Sequence, residues 1–136
     1  FRNTIRELAK ERPELNIIND QVGSPTTTTY ISLVIKEIIK LLLKDKDITF
    51  QECKGIYHLS CGGNCSWYDF AEVIIKDLFQ YEEGYCKLNP ISTKDFPTAA
   101  TRPHYSVLNN QKLMKVFGLE QREWYDCFQD MGGKKL

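Results

Sequence analysis

Helical and strand patterns alternate along this chain, and together they predict a small mixed helix/strand domain of the α/β (α+β) class. Three observations carry that prediction. Apolar residues recur at helical spacing in residues 1–10, 30–44 and 67–80, whereas residues 15–20, 55–60 and 87–91 are short strand-like runs. Three such strands are too few for a full doubly wound sheet. The length of 136 residues suits one domain with a modest core rather than two ordinary ones.

Each element has its own warrant. In residues 1–10, Phe1, Ile5, Leu8 and Ala9 share one helical face, and no capping residue precedes them, which points to an earlier segment of chain. Pro13 separates this helix from a β-branched strand at 15–20, and a polar loop with a Gly and a Pro follows at 21–29. Ile31, Val34, Ile35, Ile38, Leu41 and Leu42 give residues 30–44 a broad apolar face, and residues 44–47 form a solvated turn. A second strand is expected at 55–60 and a turn at 61–65. Ser66 is the expected N-cap of the next helix, with Asp69 at its third position and Phe70, Val73, Ile74 and Leu78 inward. A third strand lies near 87–91, and residues 92–104 are irregular. Two helices at 110–117 and 121–131 are divided by Gly118 as a C-cap, and residues 132–136 are a frayed tail.

Composition narrows the function. Apolar content of 42% with 26% charged residues is that of a globular chain. Acids and bases cancel at 18 each, so no bulk charge favours nucleic acid or an anionic membrane, and an anion must be recognised by one or two placed groups. The longest apolar run, 38–43, is interrupted by Lys40 and is far too short to cross a bilayer. No secretory signal is evident, and five cysteines without a disulfide-scaffold rhythm fit reduced thiols in the cytoplasm.

Three groups of residues could carry chemistry. The loop 21–29 offers the Gln21 carboxamide and the Ser24 and Thr26 hydroxyls to a ligand, or else its threonines simply cap the next helix. Arg102, stiffened by Pro103 in an irregular stretch, could grip a diphosphate with its planar fork, or else pair with Asp95 or another carboxylate at the surface. Cys53, His58, Cys61 and Cys65 could in principle surround zinc, but the paired C-x2-C knuckles are absent and no metal ligand is assigned. Gly62-Gly63 does not complete the G-x-G-x-x-G fingerprint of a dinucleotide site. None of the seven tyrosines has a lysine four residues on, so no catalytic or cofactor-binding residue is assigned either.

Four segments in order resemble one family. DQVGSPT at 20–26, GIYHLS at 55–60 with SWYDFA at 66–71, DFPTAATRP at 95–103 and SVLNNQKL at 106–113 resemble motifs of the dTDP-4-dehydrorhamnose reductases. The resemblance implies that residues 1–136 are the C-terminal, sugar-nucleotide-binding domain of a Rossmann-type extended short-chain reductase whose N-terminal Rossmann half is missing. It implies NADPH-dependent reduction of dTDP-4-dehydro-L-rhamnose to dTDP-L-rhamnose for polysaccharide, with the glycine fingerprint and the Tyr/Lys pair in that other half. Arg102 then becomes a diphosphate contact, Gln21, Ser24 and Thr26 substrate-loop residues, and Trp67 a structural aromatic on the core. Metal-assisted dimerisation occurs in some members, so magnesium and a homodimer are implied for a full-length chain, though no residue here carries either. Departures are Tyr30 for the aspartate of a "DLA" helix, Asn109 for the aspartate of "LD" and Gln111 for the serine of "SK". They leave room for a non-catalytic relative, as the regulatory subunit of methionine adenosyltransferase is.

Overall fold

The structure, a computed structural model, describes residues 1–44, 50–79 and 86–130. Its elements are α1 (Arg2–Glu11), β1 (Glu14–Ile18), β2 (Val22–Gly23), α2 (Thr28–Lys44), α3 (Phe50–Cys53), β3 (Cys65–Ser66), α4 (Trp67–Leu78) and β4 (Lys87–Ile91), then a 3-10 turn (Thr93–Asp95), α5 (Gln111–Phe117) and α6 (Trp124–Gln129). The chain folds as two compact units. One comprises Phe1–Gly23 with Asn64–Val107, the other Ser24–Gly63 with Leu108–Leu136.

In the first unit, Arg12 is extended at φ −127° and ψ 137°, as the residue before a proline prefers, and so α1 ends there. The strand β1 then alternates, burying Leu15 and Ile17. It pairs in parallel with β4, from Glu14 opposite Lys87 to Ile18 opposite Ile91. Pro90 is tolerated because among the described residues β4 has one neighbour and can turn the missing N–H away from it. Helices α1 and α4 pack on this pair and on each other. Their buried Ile5, Ala9, Phe70, Ala71, Ile74, Ile75 and Leu78 form the unit's core with Leu15, Ile17 and Cys86. Arg2 and Arg6 both reach Asp77 on α4, at 3.4 and 3.6 Å.

The expected cap of α4 is present and reciprocal. Asp69 donates its amide to the Ser66 hydroxyl at 3.0 Å, and its carboxylate accepts the Ser66 amide at 2.9 Å. Ile75 rather than Val73 is buried. Trp67 lies on the Phe1 ring, with centroids 4.7 Å apart, and is 41% exposed instead of seated in the core.

The second unit is helical. Tyr30, Val34, Cys61, Leu113, Phe117 and Cys127 are its buried centre, with Ile38, Leu41 and Leu42 packed against it. The inward face of α2 is therefore turned toward Tyr30, and Ile35 falls outside it at 47% exposed. Gly118 ends α5 at φ 59°, a left-handed position that only glycine takes without strain.

Two expectations fail here. Residues 55–60 alternate as a strand would, with Tyr57 and Leu59 inward and Ile56 and His58 outward, yet among the described residues they join no ladder. In place of a strand partner, Asn110 accepts the Ser60 amide at 3.1 Å and donates to the Ser60 carbonyl at 2.9 Å. The loop 21–29 also contains a strand, since Val22 and Gly23 pair antiparallel with Ser66 and Cys65. The turn expected at 44–47 lies outside the described residues beyond Lys44, as do Gln80, Met131 and the tail 132–136.

Asn110 is 2% exposed, and its removal leaves the buried Ser60 amide unpaired and the Ser60 carbonyl with only the Gln121 side-chain amide at 3.4 Å. Asn110→Ala should cost about 2 kcal/mol, against about 1 kcal/mol for Ser66→Ala at the α4 cap. Denaturant titration of both variants checks the order.

Candidate functional site

The start of the loop 21–29 and the stretch 92–106 belong to the first unit, and hydrogen bonds join them. Asp20, Gln21 and Val22 follow β1. Residues 92–106 follow β4, and those from 94 to 106 are all exposed. The Val22 amide donates to the His104 carbonyl at 2.8 Å, and the Ser106 amide donates to the Val22 carbonyl at 2.9 Å. The His104 ring meets the Asp20 carbonyl through Nδ1 at 2.9 Å. Arg102 sits two residues before this seam. Among the described residues it has neither a hydrogen bond nor an ion pair. Asp95, its expected surface partner, is instead turned back onto the Ser92 amide and hydroxyl at 3.1 and 2.7 Å.

Thr93 ties the loops more deeply. Its amide and hydroxyl both donate to Asp20 Oδ1, at 2.8 and 2.6 Å. Its hydroxyl also accepts the Gln21 Nε2 donor at 3.1 Å, and Gln21 is buried, at 7% exposed. The Thr93 hydroxyl bond is the main reason that the Asp20 carboxyl lies below its ordinary 3.8, with His104 helping. A depressed carboxyl stabilises the fold above its ordinary value and loses that contribution as pH falls through the lowered one. Neither Asp20 nor Thr93 stood out in the sequence. An acidic residue just past a strand and an S-T-x-D capping pattern at 92–95 were the signals available.

Ser24 and Thr26 belong to the second unit. The Ser24 hydroxyl donates to the Gly63 carbonyl at 2.6 Å. The Thr26 hydroxyl donates to the Ser24 carbonyl at 3.0 Å and accepts the Cys61 amide at 3.1 Å. Thr27 caps α2 by accepting the Tyr30 amide at 3.1 Å. The capping reading of the loop is met at Thr27, while the Ser24 and Thr26 hydroxyls brace the turn at 61–63.

That turn is not a dinucleotide cradle. Gly63 has φ 67°, and a Cβ at Gly62 or Gly63 would run into the Glu123 carboxylate. A carboxylate lies against both glycines, where a phosphate would meet like charge. Among the described residues no group of three His, Cys, Asp or Glu side chains could hold a metal ion. All five cysteines are free.

With this geometry in view, likeness to known proteins becomes specific. The RmlD substrate binding domain family matches residues 1–134. The chain belongs to this family. The dTDP-4-dehydrorhamnose reductase of Escherichia coli K12 is 36% identical over 126 residues, which are 91% of this chain and 40% of that protein. A solved dTDP-4-dehydrorhamnose reductase from Clostridium acetobutylicum superposes with a TM-score of 0.76 at 35% identity, covering 96% of this chain and 41% of the other. One from Bacillus anthracis, in complex with NADP, gives a TM-score of 0.74 at 32% identity, covering 95% and 41%. The chain therefore spans about two fifths of the length of the relatives it matches. In this RmlD-type domain no helix among the described residues is long and apolar enough to cross a membrane.

Burial pushes the Cys65 and Cys127 thiols up to about 12, with Asp69 adding to the effect at Cys65 and a Cys61 hydrogen bond at Cys127. A raised thiol favours the folded state fully below its ordinary 9.0, and that contribution fades as pH rises toward 12. Stability measured by denaturant should therefore fall between pH 8 and pH 10.5. A thiol reagent at pH 8 should leave both cysteines unmodified until the chain unfolds.

Proposed function

We propose that residues 1–136 are the C-terminal, sugar-nucleotide-binding domain of an NADPH-dependent reductase that converts dTDP-4-dehydro-L-rhamnose to dTDP-L-rhamnose. The observation that carries this reading is Arg102. It is an exposed guanidinium with no partner among the described residues, on a loop pinned to the end of β1 within an RmlD-family domain. A planar fork of donors, unpaired among the described residues, suits the two phosphates of a nucleoside diphosphate.

The roles divide between this chain and the rest of the protein. Here Arg102 neutralises and orients the diphosphate, while Gln21, Ser24 and Thr26 keep the substrate loop in shape. Cofactor and proton donor are assigned to the Rossmann half of a full-length protein, and NADP in the Bacillus anthracis relative supports the choice of cofactor. Hydride transfer from NADPH to the 4-keto carbon then requires both parts. Free thiols at all five cysteines agree with a cytoplasmic protein. Magnesium and a homodimer would be properties of the full-length protein, and neither is assigned to residues of this chain.

Calorimetry of dTDP binding to the full-length protein tests the assignment. Losing one charge-assisted contact costs about 1.5–3 kcal/mol, so Arg102→Ala should weaken binding roughly ten- to hundredfold. Unchanged affinity would remove Arg102 from the site. An NADPH oxidation assay on dTDP-4-dehydro-L-rhamnose separates a reductase from a binding protein of the same fold.

A further inference from the structure

We infer that Thr93 is a positioning residue for the sugar-nucleotide site: through Asp20 and His104 it fixes the loop that carries Arg102. The inference rests on the function proposed above and adds a residue that does not itself touch the ligand.

Thr93 joins the segment after β4 to Asp20 and Gln21. Its single hydroxyl hydrogen goes to Asp20 Oδ1 at 2.6 Å, its amide reaches the same oxygen at 2.8 Å, and its lone pair takes the Gln21 amide at 3.1 Å. The hydroxyl is thus used as donor and as acceptor, and the neighbouring loop 20–22 is fixed from the β4 side. Asp20 passes the restraint on, because its carbonyl holds His104 Nδ1 at 2.9 Å and its Oδ2 lies 3.8 Å from the same ring nitrogen. Val22 completes the seam by accepting Ser106 and donating to His104. Arg102 is two residues from His104 and has no partner of its own among the described residues. Its orientation depends on where this seam holds the backbone. The 3-10 turn keeps Thr93 in place independently, since Asp95 returns to the Ser92 amide and hydroxyl. A preorganised arginine binds an anion without first being ordered, and this is how a residue outside the pocket can change affinity.

Valine has the shape of threonine without the hydroxyl, and serine has the hydroxyl without the methyl. In the full-length protein, Thr93→Val should speed amide exchange at Val22 and Ser106 about tenfold and weaken dTDP binding about tenfold. KM for NADPH should stay within about twofold, and Thr93→Ser should restore both affected quantities. Unchanged exchange in Thr93→Val overturns the inference, as does a serine variant that behaves like valine, or faster exchange with unaltered dTDP affinity. His104→Ala, at an exposed position, should loosen the same two amides, and if Thr93→Val does not fold, that variant decides in the same way. Should the wild-type protein bind no dTDP while both variants still loosen the seam, the proposed function fails and the Thr93 restraint itself stands.

Discussion

Ser60 offers an amide and a carbonyl that no strand among the described residues meets, and the Asn110 side chain meets both. The same constraint recurs throughout the chain. Among the described residues there are one five-residue parallel pair and one two-residue antiparallel pair, so little of their backbone is satisfied by ladders. Side chains with two functions take over. Asp20 accepts the Thr93 amide, Asp69 the Ser66 amide, Asp95 the Ser92 amide, and Thr26 the Cys61 amide. Each is a short polar side chain at a place where the backbone turns away from regular structure. The helices can then pack as they do because the connections between them are fixed by these bonds.

This constraint also explains which elements could be read from sequence. The α4 cap, the extent of β4 and the Gly118 stop were legible because each is local: a Ser with an Asp three residues on, a short run after a break, a glycine at a helix end. Residues 55–60 carried a strand pattern and still form no strand, since pattern reports burial while a strand needs a partner backbone. The inward face of α2 differs from its aliphatic pattern because Ile35 is as apolar as its neighbours, whereas the core takes the aromatic Tyr30 instead. Two-residue strands such as β2 are below what periodicity can detect.

The site was legible by residue type and illegible in its connections. Arg102 could be picked out as a permanent cation beside a proline in a stretch without regular structure. Thr93 could not, because its partner Asp20 is 73 positions away and the bond involves one hydroxyl and one amide. Gln21 was legible as a polar loop residue, yet only its burial and its bond to Thr93 show that its amide nitrogen is already committed. Ser24 and Thr26 are similar, with hydroxyls spent on backbone groups at Gly63, Ser24 and Cys61. Around the loop, polar side chains that resemble ligand donors are largely occupied in keeping its shape.

The departures from the family's motifs can be judged by the same standard. Tyr30, where an aspartate is usual, is 3% exposed in the core of the second unit, and its hydroxyl receives the Arg122 amide at 3.4 Å. Burial raises its pKa, as expected of a phenol kept neutral and packed. Asn109, also in place of an aspartate, accepts the Gln111 amide at 2.9 Å, a bond an aspartate oxygen would make equally well. Gln111 itself is exposed at the start of α5. Two of the three substitutions therefore solve packing or turn problems, and the third sits at the surface of a helix. None falls in the seam between 20–22 and 104–106, nor in the stretch that carries Arg102. Each of the three is accommodated locally, by burial, by a turn hydrogen bond or by exposure on a helix, so the fold absorbs them without change to its framework.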